Sequence, residues 1–97
     1  MRIISKKPLR EFWEQFPDAE QPLKTWHSLV RSARWDSPAD IKAQFRNASL
    51  VGGNRVVFNI AGNKYRLIVK INYVTKTVFV RFIGTHQEYD KIDPEVV

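Results

Sequence analysis

The stretch Phe58–Asp90, FNIAGNKYRLIVKINYVTKTVFVRFIGTHQEYD, decides the fold of this 97-residue chain. Tyr65, Leu67, Val69, Ile71 and Tyr73 alternate with Lys64, Arg66, Ile68, Lys70 and Asn72. Val78, Val80 and Phe82 then alternate with Thr77, Phe79, Arg81, Ile83 and Thr85. A period of two marks half-buried strands, because successive side chains point to opposite faces. Just upstream, Val56, Phe58 and Ile60 alternate with Val57 and Asn59. The short connections Ala61-Gly62-Asn63 and Val74-Thr75-Lys76 favour an antiparallel meander of three strands. With Leu67, Val69, Val80 and Phe82 turned inward, Lys64, Arg66, Lys70 and Arg81 are expected to project from the opposite face, left open to solvent.

The first half of the chain supplies the cover for the inner face. Arg2-Ile3-Ile4-Ser5 reads as a short first strand, and Pro8 suits the first turn of a helix, where its missing N–H has no partner to lose. Leu9, Phe12, Trp13 and Phe16 recur at i, i+3, i+4 and i+7, the stripe of an amphipathic helix that Pro17 ends. A second helix follows, either capped by Asp18 with Gln21 in a capping-box position or starting at Gln21 with Pro22 at N1. Leu23, Trp26, Leu29, Val30 and Ala33 form its stripe, and the two helices are expected to pair as an antiparallel hairpin. His27 lies beside that stripe as a surface residue. Ser37-Pro38-Ala39-Asp40 caps a third, short helix running to about Phe45, and Ala48–Asn54 reads as a connector. Thr85-His86-Gln87-Glu88 carries the same capping signature at the end of the last strand. The expected architecture is α+β, one domain over residues 1–97: an N-terminal strand and helical hairpin on a mainly antiparallel twisted sheet, with a short C-terminal helix.

Composition narrows the function. The chain has no cysteine, which excludes disulfides and Cys-based zinc sites, and no apolar run of membrane-spanning length or export signal, so a cytoplasmic, membrane-free protein is expected. Two histidines and no acidic residue between Asp40 and Glu88 offer no metal-ligand cluster, and no cofactor is expected. The glycine pairs lack the strand–loop–helix context of a nucleotide-binding loop. Net charge is +6, and the interval from Asp40 to Glu88 holds Lys42, Arg46, Arg55, Lys64, Arg66, Lys70, Lys76 and Arg81 without compensation. Such a surface suits a polyanion, nucleic acid above all, although lysines on strands also guard sheet edges and aid solubility. Periodicity and charge leave both readings open.

The runs VVFNIAGNKYRLIVKINY and VFVRFIGTHQEYDKI, with GNKYR (Gly62 to Arg66) and THQEYD (Thr85 to Asp90) as their most specific elements, resemble the HigB branch of the RelE-like toxin superfamily. The upstream FPDAE, Trp and SPADIK segments fit the same pattern, so the resemblance covers nearly the whole chain. It implies a compact RelE-like fold with a basic concave surface and the toxin of a type II toxin–antitoxin pair. It implies an endoribonuclease, an mRNA interferase, acting on messages during translation on the ribosome. The implied partners are mRNA, the ribosome and a HigA-like helix-turn-helix antitoxin, with operator DNA met only through the antitoxin complex. Arg66 and Arg81 match the family's strand arginines by position, and His86, Glu88 and Tyr89 match its terminal motif.

Metal-independent cleavage of RNA needs a base for the ribose 2′-OH, cations for the charged phosphorane and an acid for the departing 5′-oxygen, and yields a 2′,3′-cyclic phosphate. Histidine is the side chain whose ordinary pKa lies near neutrality, which makes His86 the first candidate, with Glu88 or Tyr89 as its partner. Arg66 and Arg81 would hold the scissile phosphate, and Lys64, Lys70, Arg55 and Asn63 would bind the RNA. Each role has a structural rival: Glu88 can complete a capping box with Thr85, Tyr89 can pack, and Asp90 can position a basic neighbour. A non-catalytic RNA- or ribosome-binding inhibitor, and a basic protein made for an acidic partner, are the competing functions.

Overall fold

The alternating half of the chain builds a five-stranded sheet in a computed structural model that describes all 97 residues. The strands are β1 (Arg2–Ile4), β2 (Ser49–Val51), β3 (Arg55–Ile60), β4 (Tyr65–Asn72) and β5 (Thr77–Thr85), in the spatial order β1-β5-β4-β3-β2. The expected meander is β3-β4-β5. To it β1 adds as a parallel edge on β5, and β2 adds as an antiparallel edge on β3. The latter lies inside the segment read as a connector, because three residues are too few to show a period.

Helices α1 (Lys7–Gln15), α2 (Glu20–Ser32) and α3 (Pro38–Gln44) supply the cover, with a 3₁₀ turn at Pro17–Ala19 between the first two. Leu9, Phe12, Trp13, Leu23, Trp26 and Val30 from the helices meet Val56, Phe58, Ile60, Leu67, Val69 and Ile71 from the sheet in one core. Trp35, 2% exposed, stacks on Phe58, and its indole N–H donates to Gln44 at 3.0 Å. Truncating a leucine at the centre of such a core, Leu67 for example, typically costs about 2–5 kcal/mol. The N-terminal amine donates to the carbonyls of Val30, Arg31 and Ala33, placing positive charge at the negative end of α2. No helix is long and apolar enough to cross a membrane.

Asp18 does not cap α2. The cap position falls to Ala19, without a side-chain bond, and the Asp18 carboxylate instead accepts from Lys64 Nζ at 2.8 Å and Tyr65 Oη at 2.5 Å. Two tertiary donors, one of them charged, outbid one local N–H. The contact ties the α1–α2 connector to the start of β4.

A second departure changes the outer face. Ile68 pairs with Phe82 while Val69 pairs with Val80, leaving Arg81 as the extra residue of a β-bulge. One inserted residue reverses side-chain parity, so Phe82 joins Ile68 on the outer face and Ile83 packs against the core opposite Leu67. Nor is that face open. Val57 and Ile68, 2% and 0% exposed, lie outside the helix-side core, and α4 (His86–Tyr89) and the segment after it lie on their side of the sheet. In that segment Glu95 reaches the Gly52 amide, and the Val97 oxygen accepts from Arg55 and Arg81.

The hydrogen bond from Lys64, then that from Tyr65, holds the Asp18 carboxyl below its ordinary pKa. A carboxylate with a lowered folded pKa contributes stability that is complete above the unfolded value, about 4, and is lost as pH falls through the folded one. In thermal melts from about pH 5 to about pH 3, Asp18→Asn is therefore expected to flatten the decline of Tm relative to wild type.

Candidate functional site

The side chains of interest come together where β4 begins and β5 ends. The β3–β4 turn takes positive φ at Ala61 and Gly62 (54° and 69°), a backbone that glycine adopts without strain. It delivers Asn63 and Lys64 to the start of β4, and the His86 amide donates to the Lys64 carbonyl at 3.1 Å, fastening α4 to that turn. Thr85 starts α4 through a reciprocal capping box. The Glu88 amide donates to Thr85 Oγ1 at 3.2 Å, and the Thr85 amide donates to Glu88 Oε1 at 2.9 Å. Glu88 thus holds the helix in place, the structural role its spacing allowed.

Arg66 faces α4 from the neighbouring strand. Its cross-strand partner is Gly84. A Cβ there would lie 2.6 Å from the Phe82 ring and 3.3 Å from Glu88 Cβ, so the glycine lets Phe82 and α4 close over the strand. The Arg66 side chain is 8% exposed. Its guanidinium donates to the Asn63 carbonyl at 3.0 Å, to Asn63 Oδ1 at 2.7 Å and to the Tyr65 carbonyl at 3.3 Å, and it sits 5.7 Å from the centre of the Tyr89 ring. None of the five ion pairs in the molecule includes it. An arginine this buried, bonded only to neutral groups, leaves a positive site to which an anion is the natural complement.

Beside it, His86 Nδ1 lies 3.2 Å from Asp90 Oδ2 one helical turn on, with both side chains about half exposed. Paired in this way, Asp90 orients the ring and leaves Nε2 for a ligand. The half-buried Tyr89 has its ring on Arg66 and its hydroxyl without a protein partner. Arg66, Asn63, His86, Tyr89 and Asp90 therefore form one cluster, and Glu88 supports it from the cap.

The other expected residues lie elsewhere. Lys64 turns to Asp18, off the face it was expected to share. Asn63, expected to meet RNA, is the residue within the cluster that holds Arg66. Arg55, Lys70 and Phe79 stand side by side across β3, β4 and β5 at the far end of the outer face, where Lys70 and Arg81 line a cleft of about 540 Å³. Arg55 and Arg81 donate to the Val97 oxygen at 2.9 and 3.3 Å. Arg66 and Arg81 thus reach toward opposite ends of the strands and do not form a single fork, because the bulge displaces Arg81 from the register that alternation implied. His27, half-buried in α2, is remote from the cluster. Burial first, then Lys6 and Arg31, lowers its pKa. Sequence reasoning missed Gly84 and the return of the chain over the outer face; the apolar residues Ile92, Val96 and Val97 after a polar run were its available signal.

Comparison with known proteins adds an independent line. The model of a family described as HigB_toxin, RelE-like toxic component of a toxin–antitoxin system, matches residues 19–92. The mRNA interferase HigB of Escherichia coli O6:H1 (strain CFT073) is 31% identical over 94 residues, covering 95% of this chain and 91% of the relative. The mRNA interferase toxin HigB of Escherichia coli K12 is 25% identical over 92 residues, covering 93% and 88%. The mRNA interferase HigB of Shigella flexneri matches to the same extent.

The capping box gives a test of what anchors the cluster. Thr85→Ala should lower stability by about 1 kcal/mol in urea unfolding. Glu88→Gln, which keeps an acceptor for the Thr85 amide, should lower it by less than half as much.

Proposed function

The chain belongs to the HigB family of RelE-like toxic components of toxin–antitoxin systems, and from that premise we propose that it is an mRNA interferase that cuts messages by metal-independent attack of a ribose 2′-OH on the adjacent phosphate. The observation that carries the reading is the Arg66 guanidinium, buried without a counter-ion and over the Tyr89 ring, with α4 also carrying a histidine whose Nε2 is free.

In this mechanism His86 Nε2 takes the proton of the 2′-OH, with Asp90 holding the ring and stabilising the imidazolium through Nδ1. The 2′-oxygen then bonds to phosphorus, and negative charge grows on the phosphoryl oxygens over the positive field of Arg66. The bond to the 5′-oxygen breaks as the Tyr89 hydroxyl supplies a proton, leaving a 2′,3′-cyclic phosphate and a 5′-hydroxyl. Arg66 acts at short range through its field and through the placement of Tyr89, since its own N–H groups are largely engaged. Glu88 keeps α4 in register and transfers no proton. Lys70, Arg55 and Arg81 extend the positive surface along the strands, which suits a message held on the ribosome.

A HigA-like helix-turn-helix antitoxin would neutralise the protein by covering this surface, and operator DNA would be met through that complex. One observation favours a second reading, a non-catalytic RNA- or ribosome-binding inhibitor: at 8% exposure Arg66 has little direct reach to a phosphate. A map of transcript ends separates the two.

Inducing the chain alone should arrest growth and create new 5′-hydroxyl ends within coding regions. His86→Ala should lower the rate of their appearance by about 10²- to 10⁴-fold, the range for loss of an acid–base group, and Tyr89→Phe should fall in the same direction while circular dichroism stays unchanged. Asp90→Asn should have a smaller effect than either. Undiminished ends in a folded His86→Ala Tyr89→Phe protein would rule out this assignment, and growth arrest without new ends would support the binding-only reading.

A further inference from the structure

We propose that the cleft at the far end of β4 and β5 is a second binding site for the substrate strand, in which Phe79 stacks on a base while Lys70 and Arg81 hold the flanking phosphates. The inference rests on the reading of the chain as an RNA-cleaving toxin and extends it to a nucleotide other than the pair that flanks the cleaved bond.

Four observations converge on the cleft. It has a volume of about 540 Å³ and is lined by Lys70, Asn72, Tyr73, Phe79 and Arg81 among others, roomy enough for the ring of a base. Phe79 is half-buried and directly opposite Lys70 across the β4–β5 ladder, so a flat apolar ring and an ammonium stand side by side on one face. The bulge at Arg81 sets it between Phe79, opposite Lys70, and Phe82, opposite Ile68, in the order of residues along β5, and Arg81 lines the cleft together with Phe79. Finally, no carboxylate side chain pairs with Lys70 or Arg81; the one partner of the Arg81 guanidinium is the Val97 oxygen.

An aromatic ring set among cations is how single strands are held without base-specific readout: the π-face takes any base, and the charges follow the backbone. Asn72, exposed at the rim, has its side-chain oxygen on the Val74 and Thr75 amides and offers its NH2 as a donor toward a base edge. The separation is also suitable. Arg66 and Lys70 lie four residues apart on β4, about 13 Å along an extended strand, so a strand engaged at His86 and running down β4–β5 reaches the cleft with a neighbouring nucleotide. A carboxylate-rich peptide would satisfy the cations and leave the ring without a function.

The test uses the full chain and a fluorescent hexa-adenylate carrying 2′-O-methyl riboses, which offers no 2′-OH to attack and so reports binding without cleavage. Phe79→Leu, which keeps apolar volume and removes the flat ring, should weaken binding by about 5- to 150-fold, the value of one stacked base. Phe79→Trp should restore wild-type affinity or exceed it. Lys70→Gln should reduce the slope of log Kd against log salt by about 0.7, one phosphate contact on a single strand. Equal affinity of wild type and Phe79→Leu overturns the proposal, as does the absence of measurable binding by wild type. Hexaglutamate bound as tightly as the oligonucleotide, with no response to Phe79→Leu, would assign the cleft to an acidic peptide instead. The readout does not depend on His86, so failure here is distinguishable from failure of the cleavage mechanism, which the map of transcript ends measures.

Discussion

The central strand β4 has to be buried on both faces, and the rest of the structure follows from that requirement. Residues 65–69 are buried without a break. Leu67 and Val69 are sealed by the helices, while Ile68 needs cover on the side where the cations emerge. An open basic face would leave Ile68 and Val57 in water, at a cost of roughly 1.5–3 kcal/mol for each side chain. The chain meets the demand by bringing α4 and the residues after it back across the sheet. The polar cluster and the hydrophobic cover are therefore one structure: the helix that carries His86 and Tyr89 is also part of the lid over the second face of β4.

That arrangement explains the unusual setting of Arg66. A residue at its place in the alternation must emerge on the covered side, under α4, where a free ammonium or guanidinium would be strongly disfavoured. Asn63 answers with a carbonyl and an amide oxygen, and Tyr89 answers with its ring face, so the charge is solvated by neutral groups and stays uncancelled. A carboxylate at the same spot would stabilise the fold more and abolish the local positive potential. The geometry keeps the potential and accepts weaker compensation, a pattern common where a protein must receive an anion.

Much of this was legible in the sequence because it is carried by short-range rules. Alternation located β3, β4 and β5; the i, i+3, i+4, i+7 stripe located α1; and Ser37, Asp40, Thr85 and Glu88 announced their capping boxes. What stayed hidden depends on residues distant in the chain. Asp18 looks like a cap until Lys64 and Tyr65, 46 and 47 residues later, compete for it. The bulge at Arg81 leaves no local mark, yet it decides which face Phe82 and Ile83 occupy and separates two arginines that alternation had placed together. The family resemblance singled out Arg66, His86, Glu88 and Tyr89, which the fold brings to one end of β4 and β5, while the division of the cations between two ends of one face emerged only from three-dimensional register.

Gly84 gives the fold a particular kind of fragility. Any side chain there meets the Phe82 ring and crowds Glu88 Cβ, so the ring or α4 has to shift. When such a protein is produced without its neutralising partner, every surviving cell has been selected for disarming it. Substitutions at this position offer an escape that leaves the core and the strand ladder intact, so a population of survivors would be expected to accumulate folded but harmless proteins as well as truncated ones. One vulnerable point of such a toxin is then a hydrogen atom where a methyl group would stand.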